Sequence, residues 1–385
     1  MGELSAGTVL VAFGGYSQGI SGAERMAWNS AAWLHRLGQQ VVILTDSRSV
    51  DAAEATDVPI YASLAELAVR QPGFRPALVH AFDLAQPELA AAAAGLAADR
   101  GVPFVLTPAS HPRVWPEPSL GCALCREADL VCALTGAELT QLRRAGVPRD
   151  RVWTAPQASD LKGVADPDGF RRRFSISGPI VLFLGRRIAV KGFDVTLQAS
   201  RLVWRHRPDA EFVFIGPGND AADAVFSSYR DPRVHDLRAV DEQTKHDALA
   251  ACALLCLPTS ADVFPLVFIE AWSCGKPVIS GNFTGSTDVV RDGVDGLIVS
   301  PEPAAVAEAL VSLLGDDARR TSMGKAGQLR VHGEYSWRRV AESYMEGYAH
   351  AVRARNARAG GSAVLPHAPP CPASETRGAP PGSGR

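Results

Sequence analysis

Short apolar segments recur along this chain, and they constrain its fold more than any other feature. In the N-terminal half they occupy residues 8–13, 40–46, 77–82, 104–108, 130–134 and 151–156. Uniformly apolar strands are typical of a parallel sheet that is covered on both faces. Ala-, Leu- and Arg-rich stretches of helical length separate them, such as residues 23–38, which end at a glycine suited to a helix C-terminus. The pattern predicts an α/β fold with a doubly wound parallel sheet, whose ligands bind beyond the carboxyl ends of the strands.

The same pattern restarts in the second half of the chain. Apolar segments now occupy residues 180–186, 211–216, 234–240, 254–258, 277–281 and 296–299. A polar stretch rich in Gly, Pro and Asp, residues 157–169, separates the two halves and reads as a linker. We therefore predict two domains, residues 1–162 and 163–335, which face each other across a ligand-binding cleft. A helix over residues 336–358 and a disordered, Gly/Pro/Ser-rich tail over residues 359–385 complete the prediction.

Composition excludes several classes of protein. The chain has 39 basic and 41 acidic residues, a net charge of −2, so no nucleic-acid surface is predicted. No apolar run approaches the roughly 20 residues of a membrane span. The N-terminus lacks the basic residues of a signal peptide, so we expect a cytoplasmic protein with at most peripheral membrane contact. Cys122 and Cys125 form a Cys-x-x-Cys motif, but no second pair follows, and we predict no metal site.

Residues 254–299 carry the densest chemical signal. An apolar strand is followed by a turn that contains Asp262, and then by a segment that reads as a helix with Pro265 in its first turn. Glu270 lies inside that helix. Free N–H groups of a first helical turn hold phosphate oxygens, and carboxylates accept hydrogen bonds from sugar hydroxyls. These residues together predict a pocket for a polyol phosphate.

This stretch resembles the donor-binding signature of glycosyltransferase family 4, whose members are retaining and have the GT-B fold. The resemblance rests on the Asp262–Glu270 spacing and on the segments EAWSCGKPVI, GSTDVV and GVDGLIV. Two positions depart from the family pattern, since Asp262 replaces the usual Glu and Pro265 replaces the usual Gly. The resemblance implies that Asp262 meets the donor sugar and that Glu270 holds ribose hydroxyls. It places the backbone of three further residues against phosphate and sugar: Phe264, Leu266 and Val267.

Two more segments of the second half fit the same family. GRRIAVKGFD puts Arg186 and Lys191 just past a strand end, where cations stabilise the charge of a departing diphosphate. Arg187 is an additional, weaker candidate. The segment from Val240 to Lys245, VDEQTK, matches the family residues that frame the nucleotide base, with backbone groups at the Val position.

The first half adds fewer candidates. SGAER resembles the family motif in which a glycine N–H, here that of Gly22, faces the donor phosphate; it is neither a dinucleotide fingerprint nor a P-loop. His111 follows a strand end and resembles the family histidine near the reactive carbon of the donor. Trp115, in the same Pro-rich loop, is a candidate acceptor contact, and His80 is a weaker candidate at another strand end.

The combined prediction is a retaining glycosyltransferase that moves a sugar from a nucleoside diphosphate sugar, UDP-linked, to an acceptor hydroxyl. The acceptor is left open among small molecules, glycans and lipids, and no cofactor or metal is expected. The leaving diphosphate would itself take the acceptor proton, because no strong base is evident. A helix crossing back to the first domain, over residues 336–358, is implied by the resemblance. Two alternatives remain: a nucleotide-sugar epimerase, and a degenerate paralogue that binds nucleotide sugar without turnover.

Overall fold

The computed structural model describes residues 7–15, 21–46 and 57–359. The chain divides into two compact units, Met1–Ala155 with Ala341–Arg385, and Pro156–Val340. The division falls after Ala155, whereas the sequence placed it after Lys162. The predicted tail lies outside the described residues, apart from Ala359 at its start.

The first unit is built on a parallel sheet of seven strands. They are β1 (Val9–Phe13), β2 (Val41–Thr45), β3 (Ile60–Tyr61), β4 (Leu78–Phe82), β5 (Phe104–Thr107), β6 (Leu130–Ala133) and β7 (Val152–Thr154). Their order across the sheet is β3-β2-β1-β4-β5-β6-β7. The helices between them are α1 (Gly22–Arg36), α2 (Leu64–Arg70), α3 (Pro87–Arg100), α4 (Pro118–Glu127) and α5 (Gly136–Arg144).

The second unit repeats this architecture with six strands. They are β8 (Ile180–Leu184), β9 (Glu211–Ile215), β10 (Val234–Arg238), β11 (Leu254–Leu257), β12 (Val278–Gly281) and β13 (Gly296–Val299), in the order β10-β9-β8-β11-β12-β13. The helices are α6 (Pro167–Phe174), α7 (Phe193–Val203), α8 (Asp220–Ser228), α9 (Glu242–Ala251), α10 (Leu266–Ser273), α11 (Ser286–Val289), α12 (Pro303–Leu314) and α13 (Asp317–Glu334). The last helix of the described chain is α14 (Trp337–Ala359).

Both units are doubly wound α/β units, as predicted from the apolar segments. Every residue of β1, β8, β9 and β11 is buried, which is why these strands lack polar alternation. The observed strands are mostly one or two residues shorter than the predicted segments. The two-residue strand β3 was not predicted, because so short a strand has no recognisable pattern.

The part of α14 from Ala341 onward packs within the first unit. The indole N–H of Trp153 donates to Ser343 (3.0 Å), and Tyr348 is hydrogen-bonded to His80 (2.7 Å). Near the end of the helix, Arg355 and Arg358 both pair with the buried carboxylate of Asp129. These contacts fix the direction of the helix, because each joins a different turn to a different strand or loop. Within the described ranges, no helix combines the length and the hydropathy that a membrane-spanning segment needs.

The second sheet changes direction beside its central strand. The chain runs outward from β8 to β10, and then returns to place β11 on the other side of β8, with Leu254 opposite Val181. The carboxyl ends of β8 and β11 therefore lie next to each other, at the end of the sheet where the parallel strands finish. Such a switch point is where open α/β sheets bind ligands, because the two following loops separate there.

Candidate functional site

The loops after β8 and β11 bring a lysine against an aspartate. Lys191 ends a short 3₁₀ turn, Ala189–Lys191, and its Nζ lies 2.5 Å from Oδ2 of Asp262. The other carboxylate oxygen of Asp262 accepts the N–H of Val263 at 3.0 Å. Both side chains keep access to solvent, with 20% of Lys191 and 13% of Asp262 exposed. Two predicted site residues, distant in sequence, are thus joined in one ion pair.

A glycine between Lys191 and α7 allows this contact. Gly192 has φ +75°, and a Cβ there would lie 2.5 Å from the carbonyl oxygen of Pro258. The carbonyl of Val190 accepts the N–H of Ser260 (2.9 Å) and the hydroxyl of Thr259 (3.0 Å). The two loops are therefore held together by backbone contacts, and a side chain at position 192 would push them apart.

The N-terminus of α10 lies four residues beyond Asp262. The helix begins at Leu266, so Pro265 immediately precedes it rather than lying in its first turn, as the sequence had suggested. Phe268 donates to the carbonyl of Pro265 at 3.1 Å, whereas the backbone N–H groups of Leu266 and Val267 have no partner among the described residues. Two adjacent unpartnered donors at a helix N-terminus form an arrangement that attracts anions.

Phe264 is fixed by the body of its own unit. Its carbonyl accepts the side-chain N–H of Gln157 at 2.9 Å, and its ring packs edge-on against Tyr335, with 5.5 Å between centroids. The ring is buried, so only backbone groups of Phe264 are placed to meet a ligand.

The second predicted carboxylate is buried and paired. Oε1 of Glu270 lies 2.7 Å from Nζ of Lys245, and the two side chains are only 2% and 10% exposed. Lys245 also contacts the exposed Glu242 at 2.8 Å. A buried charge requires a close counterion, because the low-dielectric interior penalises an isolated one. The predicted VDEQTK segment is the start of α9: half-buried Val240 precedes Asp241, which caps the helix by accepting the Thr244 N–H at 2.7 Å.

The two arginines after β8 have different environments. Arg186 is exposed, and its side chain forms no ion pair with any residue that the structure describes. Arg187 is 2% exposed; its guanidinium pairs with Asp236 (2.8 Å) and Asp223 (3.1 Å) and donates to the carbonyl of Gly216. The suggestion that Arg187 is an additional cation for a ligand is therefore corrected, because its donors hold β8, α8 and β10 together.

Two predicted site residues of the first unit, Gly22 and His111, lie where a loop meets a helical turn. Gly22 is the first residue of α1, whose N-cap Ser21 forms a capping box with Glu24. Residues 16–20 of the same glycine-rich loop lie outside the described residues. His111 is half-buried and lies between β5 and a 3₁₀ turn at Pro112–Val114. No described contact assigns either residue a chemical role, so both roles stay predictions.

Trp115 and His80 are core residues in this structure. The Trp115 ring is 6% exposed, packs over Gly121 and donates its N–H to the carbonyl of Ser110 at 3.1 Å. This packing explains why a tryptophan occupies position 115 without any contact to an acceptor substrate. His80 lies inside β4 rather than at its end and is fully buried between Thr107 and Tyr348, and burial lowers its pKa to about 3. A neutral, enclosed imidazole of this kind is structural.

Some features of the site were not predicted. The Lys245–Glu270 ion pair joins two helices, and the spacing of the two residues in the sequence matches no motif. The Gln157–Phe264 hydrogen bond likewise connects the start of the second unit to the loop just before α10. Both contacts depend on how helices pack on the sheet. Among the described residues, no group of three or more His, Cys, Asp or Glu side chains is placed to hold a metal ion.

Two family models match this chain. Residues 21–157 match the glycosyl transferase 4-like domain, and residues 178–316 match glycosyl transferases group 1. Together the matched segments cover more than half of the chain. The first segment lies almost entirely in the first unit and the second lies in the second unit, where it contains the Lys191–Asp262 and Lys245–Glu270 ion pairs.

Individual relatives agree with the family models. The chain is 32% identical over 251 residues to D-inositol 3-phosphate glycosyltransferase of Nocardia farcinica, covering 61% of this chain and 55% of that protein. It is 32% identical over 217 residues to phosphatidyl-myo-inositol mannosyltransferase of Mycobacterium tuberculosis, covering 54% and 56%. The chain thus matches little more than half of the length of these relatives.

A solved structure shares the fold. HepE from Anabaena, crystallised in complex with UDP and glucose, superposes with a TM-score of 0.75 at 18% identity, over 88% of this chain and 99% of that one. The predicted GT-B class, with two doubly wound Rossmann-like units, is confirmed. On its two matched domains, its switch-point loops and its fold, this chain belongs to the group 1 glycosyltransferases of family 4.

Proposed function

We propose that this chain is a retaining glycosyltransferase that moves a sugar from a nucleoside diphosphate sugar, UDP-linked, to an acceptor hydroxyl. The observation that carries the proposal is the Lys191–Asp262 pair beside the two unpartnered N–H groups of α10. A cation, a carboxylate and a helix N-terminus next to one another provide donors for a diphosphate and an acceptor for sugar hydroxyls.

In this proposal the diphosphate is bound by Lys191, by exposed Arg186 and by the N–H groups of Leu266 and Val267. The ammonium group of Lys191 has three donors, and its contact with Asp262 uses one of them. The remaining donors are available to phosphate oxygens. As the bond between the sugar and the diphosphate breaks, negative charge builds up on the leaving oxygen, and these preoriented donors stabilise it.

The donor sugar and the nucleoside are assigned to the two acids. Asp262 accepts hydrogen bonds from sugar hydroxyls, and Glu270 accepts them from the ribose. Lys245 holds the Glu270 carboxylate in position, since its Nζ lies 2.7 Å from Oε1. Backbone groups near Val240 lie beside the base. The roles that the family resemblance gives to Gly22 and His111 of the first unit stay predictions, and so does the acceptor contact suggested for Trp115.

Transfer with retention follows if the leaving diphosphate takes the proton of the acceptor hydroxyl on the face from which it departs. The hydroxyl oxygen bonds to the anomeric carbon, the bond to the diphosphate breaks, and the proton ends on the diphosphate. No protein base is required. The charge on the diphosphate is balanced by Lys191 and Arg186 in this mechanism, so activity should persist in EDTA.

The relatives indicate which substrates to test first. HepE was crystallised with UDP and glucose, and the Nocardia and Mycobacterium relatives are named for inositol 3-phosphate and phosphatidyl-myo-inositol acceptors. We therefore propose UDP-sugars as donors, and inositol phosphates as the first members of an acceptor panel that also contains glycans and lipids.

The test measures UDP release from a panel of UDP-sugars with and without acceptors, and determines the anomeric configuration of the product by NMR. Acceptor-dependent release with a retained configuration is expected. Conversion of the donor to its epimer without an acceptor would identify an epimerase. Binding of UDP without turnover across the whole panel would identify a degenerate paralogue, and an inverted product would refute the mechanism.

A further inference from the structure

A cavity lies in the second unit near the amino ends of its parallel strands, whereas Lys191 and Asp262 follow the carboxyl ends of β8 and β11. It has a volume of about 430 Å³ and is lined by Arg201 in the last turn of α7, by residues just after α7 and by residues between α8 and β10. Arg201 lies eight residues after Phe193, the first residue of α7, so the cavity is about 12 Å from the Lys191 end of that helix, at 1.5 Å per helical residue. It is therefore distinct from the proposed donor site. Its volume is within the range of small-molecule sites.

The cavity has a strongly positive lining. Four arginines, Arg201, Arg205, Arg230 and Arg233, face a single carboxylate, Asp231, which gives a local formal charge of +3 in a chain whose net charge is −2. Basic residues at the end of α7 are expected, since cations stabilise a helix C-terminus. That reason does not apply to Arg230 and Arg233, which approach from the segment before β10.

One arginine is part of the wall. Arg233 forms two hydrogen bonds with Asp231 (2.8 and 2.9 Å), and its guanidinium stacks over Trp204 at 3.8 Å from the ring centroid. It also donates to the carbonyl of Pro208. The hydrogen bonds from Arg233 lower the pKa of Asp231, so the pair stays ionised. Asp231 is thereby neutralised by Arg233 and leaves the other three arginines uncompensated.

The remaining arginines, Arg201, Arg205 and Arg230, are exposed and line the rest of the cavity. Arg201 lies over the ring of Tyr229, 4.4 Å from its centroid. The Tyr229 hydroxyl is held by the carbonyl of Leu197 (2.8 Å) and by Ser200 (2.6 Å). Among the described residues, Arg201, Arg205 and Arg230 form no ion pair with a carboxylate. Guanidinium groups without a carboxylate partner are suited to bind the oxygens of a phosphate group, two at a time.

We propose that this cavity is a binding site for a phosphate-bearing ligand, either a free phosphorylated molecule or the headgroup of an anionic lipid. The proposal does not rest on the proposed function, because none of the lining residues takes part in it. The aromatic walls provide surface for an organic group attached to the phosphate. The guanidinium groups provide most of the recognition.

The test uses the full chain with Lys191→Ala, which removes the main phosphate cation of the proposed donor site, and titrates inorganic pyrophosphate by calorimetry. The pocket variant adds Arg201→Ser and Arg230→Ser, one from each segment, and leaves Arg233 in place. The matched control adds Arg149→Ser and Arg172→Ser, two exposed arginines elsewhere. We expect the pocket variant to bind pyrophosphate at least about tenfold more weakly, as the loss of charge-assisted hydrogen bonds predicts, and the control to bind unchanged.

Equal losses in the pocket variant and the control would overturn the proposal, because general charge alone would then explain binding. Absence of pyrophosphate binding in the Lys191→Ala protein would also overturn it. Cosedimentation with phosphatidylglycerol vesicles, compared with phosphatidylcholine vesicles, distinguishes the two sources of phosphate. If the pocket variant loses vesicle binding, the ligand is a lipid headgroup; if only pyrophosphate binding changes, it is a free phosphorylated molecule. Failure of the glycosyltransferase proposal would appear in UDP release and leave this titration unaffected.

Discussion

Replacing Lys245 with methionine should destabilise the second unit markedly, because it removes the ammonium group beside the buried carboxylate of Glu270. The two side chains are 10% and 2% exposed and lie 2.7 Å apart. Breaking such a buried pair by removing one partner costs about 3–5 kcal/mol. The second contact of Lys245, to Glu242, adds little, because the Glu242 side chain is 55% exposed. In a unit of this size, each kcal/mol of lost stability lowers the melting temperature by about 2–4 °C, so we expect a fall of about 6–20 °C.

The assay is thermal unfolding of the full chain at pH 7, with Lys325→Met as the control, since Lys325 is an exposed lysine on α13. The double variant Lys245→Met with Glu270→Gln should recover most of the loss, because no buried charge remains. It should not recover UDP binding, because the carboxylate proposed to hold the ribose is gone. A fall of less than about 2 °C for Lys245→Met, equal to that of the control, would refute the reasoning from burial.

Three further predictions concern other parts of the chain. Lys191→Ala should lower turnover by at least about 10²-fold in a protein that remains folded, as the loss of one preoriented charge contact does; near-normal turnover would contradict the assignment. Gly192→Ala should cost about 1–2 kcal/mol for the left-handed backbone alone and should lower activity further by displacing the loop from Pro258; wild-type melting and activity would contradict this. Burial raises the pKa of Glu138 to about 7, above its unfolded value, so the folded state binds an extra proton between about pH 4.5 and 7. The contribution of this protonation to the free energy of unfolding is therefore complete at low pH and is lost as the pH rises to 7, by about 1.4 kcal/mol per pH unit. Urea unfolding of the wild-type chain and of Glu138→Gln measures this difference. Parallel pH profiles for the two proteins would contradict it.

The candidate site was partly predictable. Lys191 and Asp262 each follow an apolar strand, and parallel strands bring their carboxyl ends to one edge, so their proximity could be expected once β8 and β11 were recognised as neighbours. The different environments of Arg186 and Arg187 could not be expected. Adjacent residues in a loop point in different directions, and only the positions of Asp223 and Asp236 show which side chain is enclosed.

The order of apolar segments along this chain determined its class of fold, because a strand covered on both faces requires an uninterrupted apolar run wherever it occurs in the sequence. Motif spacing likewise located the turn after β11 and the helix that follows it. Only the tertiary structure decided that Glu270 is paired with Lys245, that Trp115 and His80 are enclosed, and that four arginines line a cavity. Each of these depends on the packing of helices and loops against a sheet, a relation between distant residues that local periodicity does not encode.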